Sequence, residues 1–370
     1  MRPTETSYDY VLRLGSDPGL RRKYQVVDEK LPGNMRFGLL LEVLDKVAEE
    51  ASLNYVRRIY PDAWVVTAAI DKILVRHVVD ISRDLVCRAR INHVGRSSLE
   101  VGIHVEQPGT PPRDIASCYF TMVARRNEAA GEVSAELPPL DCADIDEKRR
   151  FDAAIARRES YRKQQAALLD PPSHEEFRML TASHQAQETP CFEGLLASRL
   201  VAEAWERMYP ENENVPQRIF GGYIVRRAYE LSSICSELVA PERSILAAVN
   251  RINFFHPVRL GDKLHFTSRV VYTSGACICV EAGIERISRD RTSKALSNSC
   301  LFTFVSVNRN LERRSVPKIY PTTYAEDSRF LVAHRSHQSL IVDDDQRWKI
   351  FTEDTQGPYC EILPRVYVSQ

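Results

Sequence analysis

A chain of 370 residues that is 44% hydrophobic and 27% charged has the composition of a globular protein, and it is too long for one ordinary core, so two domains or an internal duplication are expected. Fifty basic residues balance fifty acidic ones, which excludes a global positive field for nucleic acid and an acidic tail. No apolar run approaches the about 18 uncharged residues of a membrane-spanning helix, and nine scattered cysteines without a CxxC pair or a secretory signal point to reduced thiols.

The N-terminal stretch lacks Asp and Glu only up to Thr4, so no clear presequence is visible. Phe37-Gly38-Leu39-Leu40 opens an amphipathic helix: Leu40, Val43, Leu44, Val47, Ala48 and Ala51 recur at helical spacing, with Glu42, Lys46, Glu49 and Glu50 on the wet side. Strands follow at Val86–Ile91 and Leu99–Val105, joined by the turn Val94-Gly95-Arg96-Ser97. Residues 146–169 are rich in Glu, Lys, Arg, Gln and Ala and stop at Asp170-Pro171-Pro172, which predicts an exposed connecting helix. Gly221-Gly222 opens a second amphipathic helix carrying Ile224, Val225, Ala228, Leu231 and Cys235 on one face. Strands are predicted at Leu264–Val271 and Cys277–Ile284 around Thr273-Ser274-Gly275. The residues after Val307 are polar and irregular and read as a tail laid over the body. His334 and His337 lack a third ligand nearby, so no metal site is assigned.

The two halves repeat one another. Without a gap, residues 68–106 align with 247–285, placing Ala68 on Ala247, Ile73 on Ile252, His77 on His256, Leu85 on Leu264 and Glu106 on Glu285. Cys118-Tyr119-Phe120-Thr121 resembles Cys300-Leu301-Phe302-Thr303. One long helix plus an antiparallel meander buries its apolar stripe only if the sheet wraps the helix. The expected fold is therefore α+β, a tandem double hotdog. The expected divisions are an extension (1–25), a first hotdog (26–135), a helical connector (136–205), a second hotdog (206–310) and a tail (311–370). A lone hotdog exposes a sheet edge and a helix flank, so the two copies are expected to pair as an intramolecular pseudo-dimer.

Arg218-Ile219-Phe220-Gly221-Gly222 running into Arg226-Arg227-Ala228-Tyr229-Glu230-Leu231 is similar to the mitochondrial acyl-CoA thioesterase 9/10 group. Phe37-Gly38, Glu42, Leu44-Asp45 and the stretch from Val94 to Val101 carry the same resemblance, which spans most of residues 25–320. The resemblance implies hydrolysis of fatty acyl-CoA to free acid and CoA, with no cofactor beyond the CoA of the substrate. It also implies a mitochondrial location and a homo-oligomer. In such enzymes a loop Asn or Gln of one hotdog faces a helix carboxylate of the other, so each site needs both copies.

Thioester hydrolysis needs a carboxylate to activate water and N–H donors to hold the carbonyl oxygen. Asp45, at the flank of the apolar stripe, is the expected base; an Asp bonded to a neighbouring backbone is the alternative. Gly38 and Gly222 begin the two helices, where N–H groups are unpaired and a missing Cβ lets a substrate approach; tight turn geometry is the alternative. One site would join Asp45 to Gln217 and the Gly222 amide. The other would join Asn34 to Glu230 or Tyr229 and the Gly38 amide, and the first is favoured. Arg218, Phe220 and Gly221 beside the second helix and Gly95 and Arg96 at the first hairpin turn are expected to contact substrate, with Lys72 or Arg251 as further cations for the CoA phosphates. His77 and His256, at equivalent positions, predict a shared structural job. The family pattern has Asn where Gln217 stands, and Tyr229 takes the place aligned with Asp45. These departures motivate an alternative: a catalytically impaired hotdog serving as an assembly subunit of a larger mitochondrial complex, with protein or RNA partners.

Overall fold

Leu40, Leu41, Leu44, Val47, Ala48 and Ala51 are all buried on one helix, α1 (Phe37–Val56), and an apolar stripe of that width needs a partner surface along its whole length. The partner is a sheet. The computed structural model describes residues 1–342 apart from 72, 130, 169, 216, 217 and 251; of 164, 165, 213–215, 218 and 339–342 it describes the backbone alone. The first copy supplies β1 (Tyr8–Leu12), β2 (Trp64–Ile70), β3 (Ile73–Val75), β4 (Leu85–Val94), β5 (Ser98–Gln107), β6 (Arg113–Glu128) and β7 (Gly131–Ser134). They run in the order β1-β4-β5-β6-β2, all antiparallel, with β3 and β7 also on β6. Buried and half-exposed residues alternate without a break along β5, which is what a strand with one face on a helix requires.

A connector of α2 (Ile145–Leu168) and α3 (His174–Gln187) leads to the second copy. It consists of β8 (Val201–Arg207), α4 (Gly221–Ser236), β9 (Arg243–Val249), β10 (Ile252–Phe254), β11 (Lys263–Ser274), β12 (Cys277–Ile287) and β13 (Lys294–Val307). The two sheets fuse at the seam where β10 pairs β2 (Ile252 with Ile70) and β9 pairs β3 (Ala248 with Leu74), giving one sheet of 13 strands. This is the tandem double hotdog.

The two long helices meet antiparallel. A Cβ on Gly38 would lie 3.0 Å from Tyr229 Cδ1, and a Cβ on Gly222 would lie 3.0 Å from Asp45 Cβ. Each helix start is thus pressed against the middle of the other helix, an approach that glycine permits.

Several elements differ from the sequence expectations. Tyr8–Leu12 and Val201–Arg207, in segments read as extension and connector, are strands that pair β4 and β11. The expected irregular tail contains a helix, α5 (Tyr324–Val342). Its Phe330 and Ala333 are buried against Tyr272 and Cys279 of the second copy. His334 Nδ1 lies 3.1 Å from the Tyr272 hydroxyl, and burial pushes the His337 pKa down to about 4. Among the described residues no group of three or more His, Cys, Asp or Glu could hold a metal ion, and no helix is long and apolar enough to cross a membrane. The connector is not purely solvated: Arg157 donates to Glu100 and stacks 3.7 Å over the Tyr119 ring. The eight described cysteines are free; Cys360 lies outside the described residues.

Arg335 ties α5 to the connector. It donates to Glu176 at 2.6 and 2.8 Å and to the carbonyls of Ala167, Leu168, Asp170 and Pro171. Removing one partner of such a network leaves the others unsatisfied, so Arg335→Ala is expected to lower stability in urea titration by about 2–4 kcal/mol. In hydrogen exchange, the α5 amides should lose protection before those of α1. An unchanged urea midpoint would show that the clasp is dispensable.

Candidate functional site

Asp45 lies midway along α1, only 1% exposed, and faces the start of α4. Its Oδ2 accepts the Gly222 N–H at 2.6 Å, and its Oδ1 accepts the Thr67 hydroxyl at 2.6 Å. One donor comes from each copy. Burial pushes the carboxyl pKa up to about 6, while the two hydrogen bonds favour the carboxylate and pull the other way. The group opens on a cavity of about 320 Å³ lined by Val65, Val66, Thr67 and Met122 of the first copy and by Ile219, Phe220, Gly221, Ile224, Phe254 and His256 of the second. Glu49, Arg125 and Glu132 also line it. A buried carboxylate titrating near neutrality, beside a helix start and an apolar slot, can take a proton from water held in that slot.

A second cavity, of about 280 Å³, occupies the equivalent place in the other half. Tyr229 stands there for Asp45, Ser233 for Glu49, Leu246 for Thr67 and His77 for His256.

Of the expected site residues, the fold brings together Asp45, Gly222, Gly221 and Phe220. Gln217 lies outside the described residues, as do Lys72 and Arg251; Arg218 is described by backbone alone, paired with Val215. The Gly222 N–H was expected to hold the thioester oxygen, but here it donates to Asp45. Of the second expected site, Asn34 and Tyr229 both line the second cavity, whereas Glu230 and Gly38 do not. Asn34 is buried, and its amide closes its own loop: Oδ1 accepts from Val26 and Val27 N–H, and Nδ2 donates to the Val27 and Glu29 carbonyls. Glu230 pairs with Arg36 at 2.8 Å and Arg227 at 2.9 Å and does not line the cavity. Gly38 is buried in the helix contact beside Tyr229 and Arg226. Gly95 sits in the β4–β5 turn, Arg96 is exposed at 3.8 Å from Glu136, and neither lines a described cavity. His77 and His256 do not share a job: His77 Nδ1 lies 2.6 Å from the Asp114 carbonyl, whereas His256 is exposed at the first cavity.

Thr67 was missed. The signal for it lies in the repeat: at the offset that aligns Ala68 with Ala247, Thr67 falls on Leu246. A polar residue in one copy thus replaces an apolar one in the other, as at Asp45 and Tyr229.

Residues 217–292 match the thioesterase superfamily. Over 361 residues the chain is 29% identical to the mitochondrial acyl-coenzyme A thioesterase 9 of Mus musculus, covering 92% of this chain and 79% of that one. It is 32% identical over 157 residues to protein VdlD of Helicobacter pylori, covering 41% of this chain and 85% of VdlD. The chain belongs to the thioesterase superfamily. Its full-length similarity to the mitochondrial acyl-CoA thioesterase 9/10 group runs through both copies. A Lactobacillus plantarum protein of solved structure, 7% identical, shares the fold with a TM-score of 0.50 over 82% of this chain and 96% of that one.

The Asp45 environment is testable by carboxyl-13C NMR of aspartate-labelled protein, with Asp45→Asn for assignment. Asp45 should titrate at about pH 6. Thr67→Val removes a donor that favours the carboxylate, so the midpoint should rise further. A wild-type midpoint in the ordinary carboxylate range would contradict this site.

Proposed function

We propose that the protein hydrolyses fatty acyl-CoA to free acid and CoA at the first cavity alone. The observation that carries this reading is the buried Asp45 carboxylate, held between Thr67 and the α4 start with its pKa raised to about 6. In this mechanism Asp45 takes a proton from water as the water oxygen attacks the thioester carbon. The carbonyl oxygen becomes negative and is held by N–H groups at the start of α4. Protonation of Asp45 weakens its hold on the Gly222 N–H, which frees that donor as the oxyanion forms. The C–S bond then breaks, and the proton on Asp45 passes to the departing CoA sulfur. Water is the only co-reactant, so the chemistry needs no cofactor.

The names of the relatives support a CoA thioester as substrate and a mitochondrial place for the protein. A homo-oligomer belongs to the same proposal through the family. Tyr229 replaces a carboxylate in the second cavity, whereas the first keeps Asp45 with its Thr67 and Gly222 donors, which favours an enzyme over a purely structural subunit.

Hydrolysis of short, medium and long acyl-CoAs, followed at the thioester absorbance, tests the reading. Asp45→Asn is expected to lower kcat/KM by about 100-fold or more. The wild-type kcat/KM should rise with pH through about 6, because the base must be ionised. Tyr229→Phe should change neither. A folded protein without turnover on any chain length would overturn the hydrolase reading in favour of the assembly subunit.

A further inference from the structure

The second cavity pairs an apolar interior with a cation whose hydrogen-bond acceptors are all neutral carbonyls. Phe37, Val78, Ile245 and Leu246 line its walls, and Tyr229 and Ser233 stand where the first cavity has Asp45 and Glu49. Arg243 reaches the same space. Its Nη1 donates to the Pro32 carbonyl at 2.8 Å, its Nε to the Asn308 carbonyl at 3.3 Å and its Nη2 to the Arg309 carbonyl at 3.3 Å. All three acceptors are uncharged, and among the described residues no carboxylate lies within ion-pair distance. A guanidinium has five N–H donors, so two remain. Burial, and then the neighbouring Arg309, lower its pKa, while the Glu242 carboxylate pulls the other way. In the first copy the aligned residue is Trp64, so this cation has no counterpart at that position.

The two cavities differ in the balance of their lining charges. Asp45, Glu49 and Glu132 line the first against Arg125 and His256. In the second, Glu237 is the only acid among the lining residues, beside Arg243 and a His77 whose Nδ1 is taken by the Asp114 carbonyl. The excess of acids in the first set repels a fatty carboxylate, whereas in the second a single acid faces Arg243, whose spare N–H donors can take a carboxylate head. We propose that the second cavity binds a free fatty carboxylate, its chain among Phe37, Val78 and Ile245 and its head on Arg243. Tyr229 offers no base there, so the ligand is held and not processed. The site stands without the hydrolytic reading of the first cavity, and its test reads binding, not turnover.

The experiment pairs calorimetry with crystallography of the full chain. Decanoate should bind the wild type at least about 10-fold more tightly than decanol, because a charge-assisted head contact is lost in the alcohol. Arg243→Gln should remove that preference, and Ile245→Trp should abolish binding of both. Arg243 also braces a loop, so wild-type crystals soaked in 10-bromodecanoate give a readout free of mutation. The bromine signal should lie in the second cavity. Bromine in the first cavity only, no decanoate binding, or equal affinity for decanol would overturn the proposal. So would displacement of decanoate from the second cavity by a thioether acyl-CoA analogue at lower concentration, which would make the occupant a CoA ester.

Discussion

The contact between α1 and α4 decides where everything else stands. Glycine at 38 and 222 lets each helix start touch the other helix, and the touching residues are Tyr229 in one case and Asp45 in the other. A carboxylate enclosed in that contact is costly unless donors meet it. Thr67 and the Gly222 N–H meet it, one from each half of the chain. The same enclosure raises its proton affinity, so the packing that makes the pseudo-dimer also makes the base. Neither half alone would build this carboxylate site.

Duplication supplies the frame twice, and the copies then diverge in matched sets. Asp45 with Thr67 becomes Tyr229 with Leu246. The change is coherent: a neutral phenol does not need the donor that a carboxylate needs, and a leucine supplies none. Trp64 becomes Arg243, and Glu49 becomes Ser233, so the second cavity exchanges acids for a cation while keeping its apolar walls. The cost of a buried group depends on whether its neighbours changed with it. Here they did.

Much of this was legible in the sequence because two periodicities coincide. The helical stripe of α1 and the alternation of β4, β5, β11 and β12 recur in the same order at nearly the same spacing, which identifies the repeat and the double hotdog. Asp45 stood out as an acid on an apolar stripe. What could not be read depends on tertiary surroundings. Tyr8–Leu12 is an edge strand with no alternation in its burial, and α5 is anchored through Tyr272, which lies 62 residues before His334 in the chain. Asn34 looked like a catalytic amide because an amide in a loop has the same letter whether it faces a substrate or its own backbone. Thr67 lies on β2, whose burial does not alternate cleanly and whose sequence carries no alternating strand signal of its own. Only the comparison with Leu246 marks it.

Crystallography of the protein with a thioether analogue of an acyl-CoA would place the reacting group against one carboxylate or none. The account predicts the thioether in the first cavity, with the methylene that replaces the carbonyl near the start of α4 and one water's reach from Asp45. An analogue lodged only in the second cavity against Tyr229, with the first cavity empty, would contradict it.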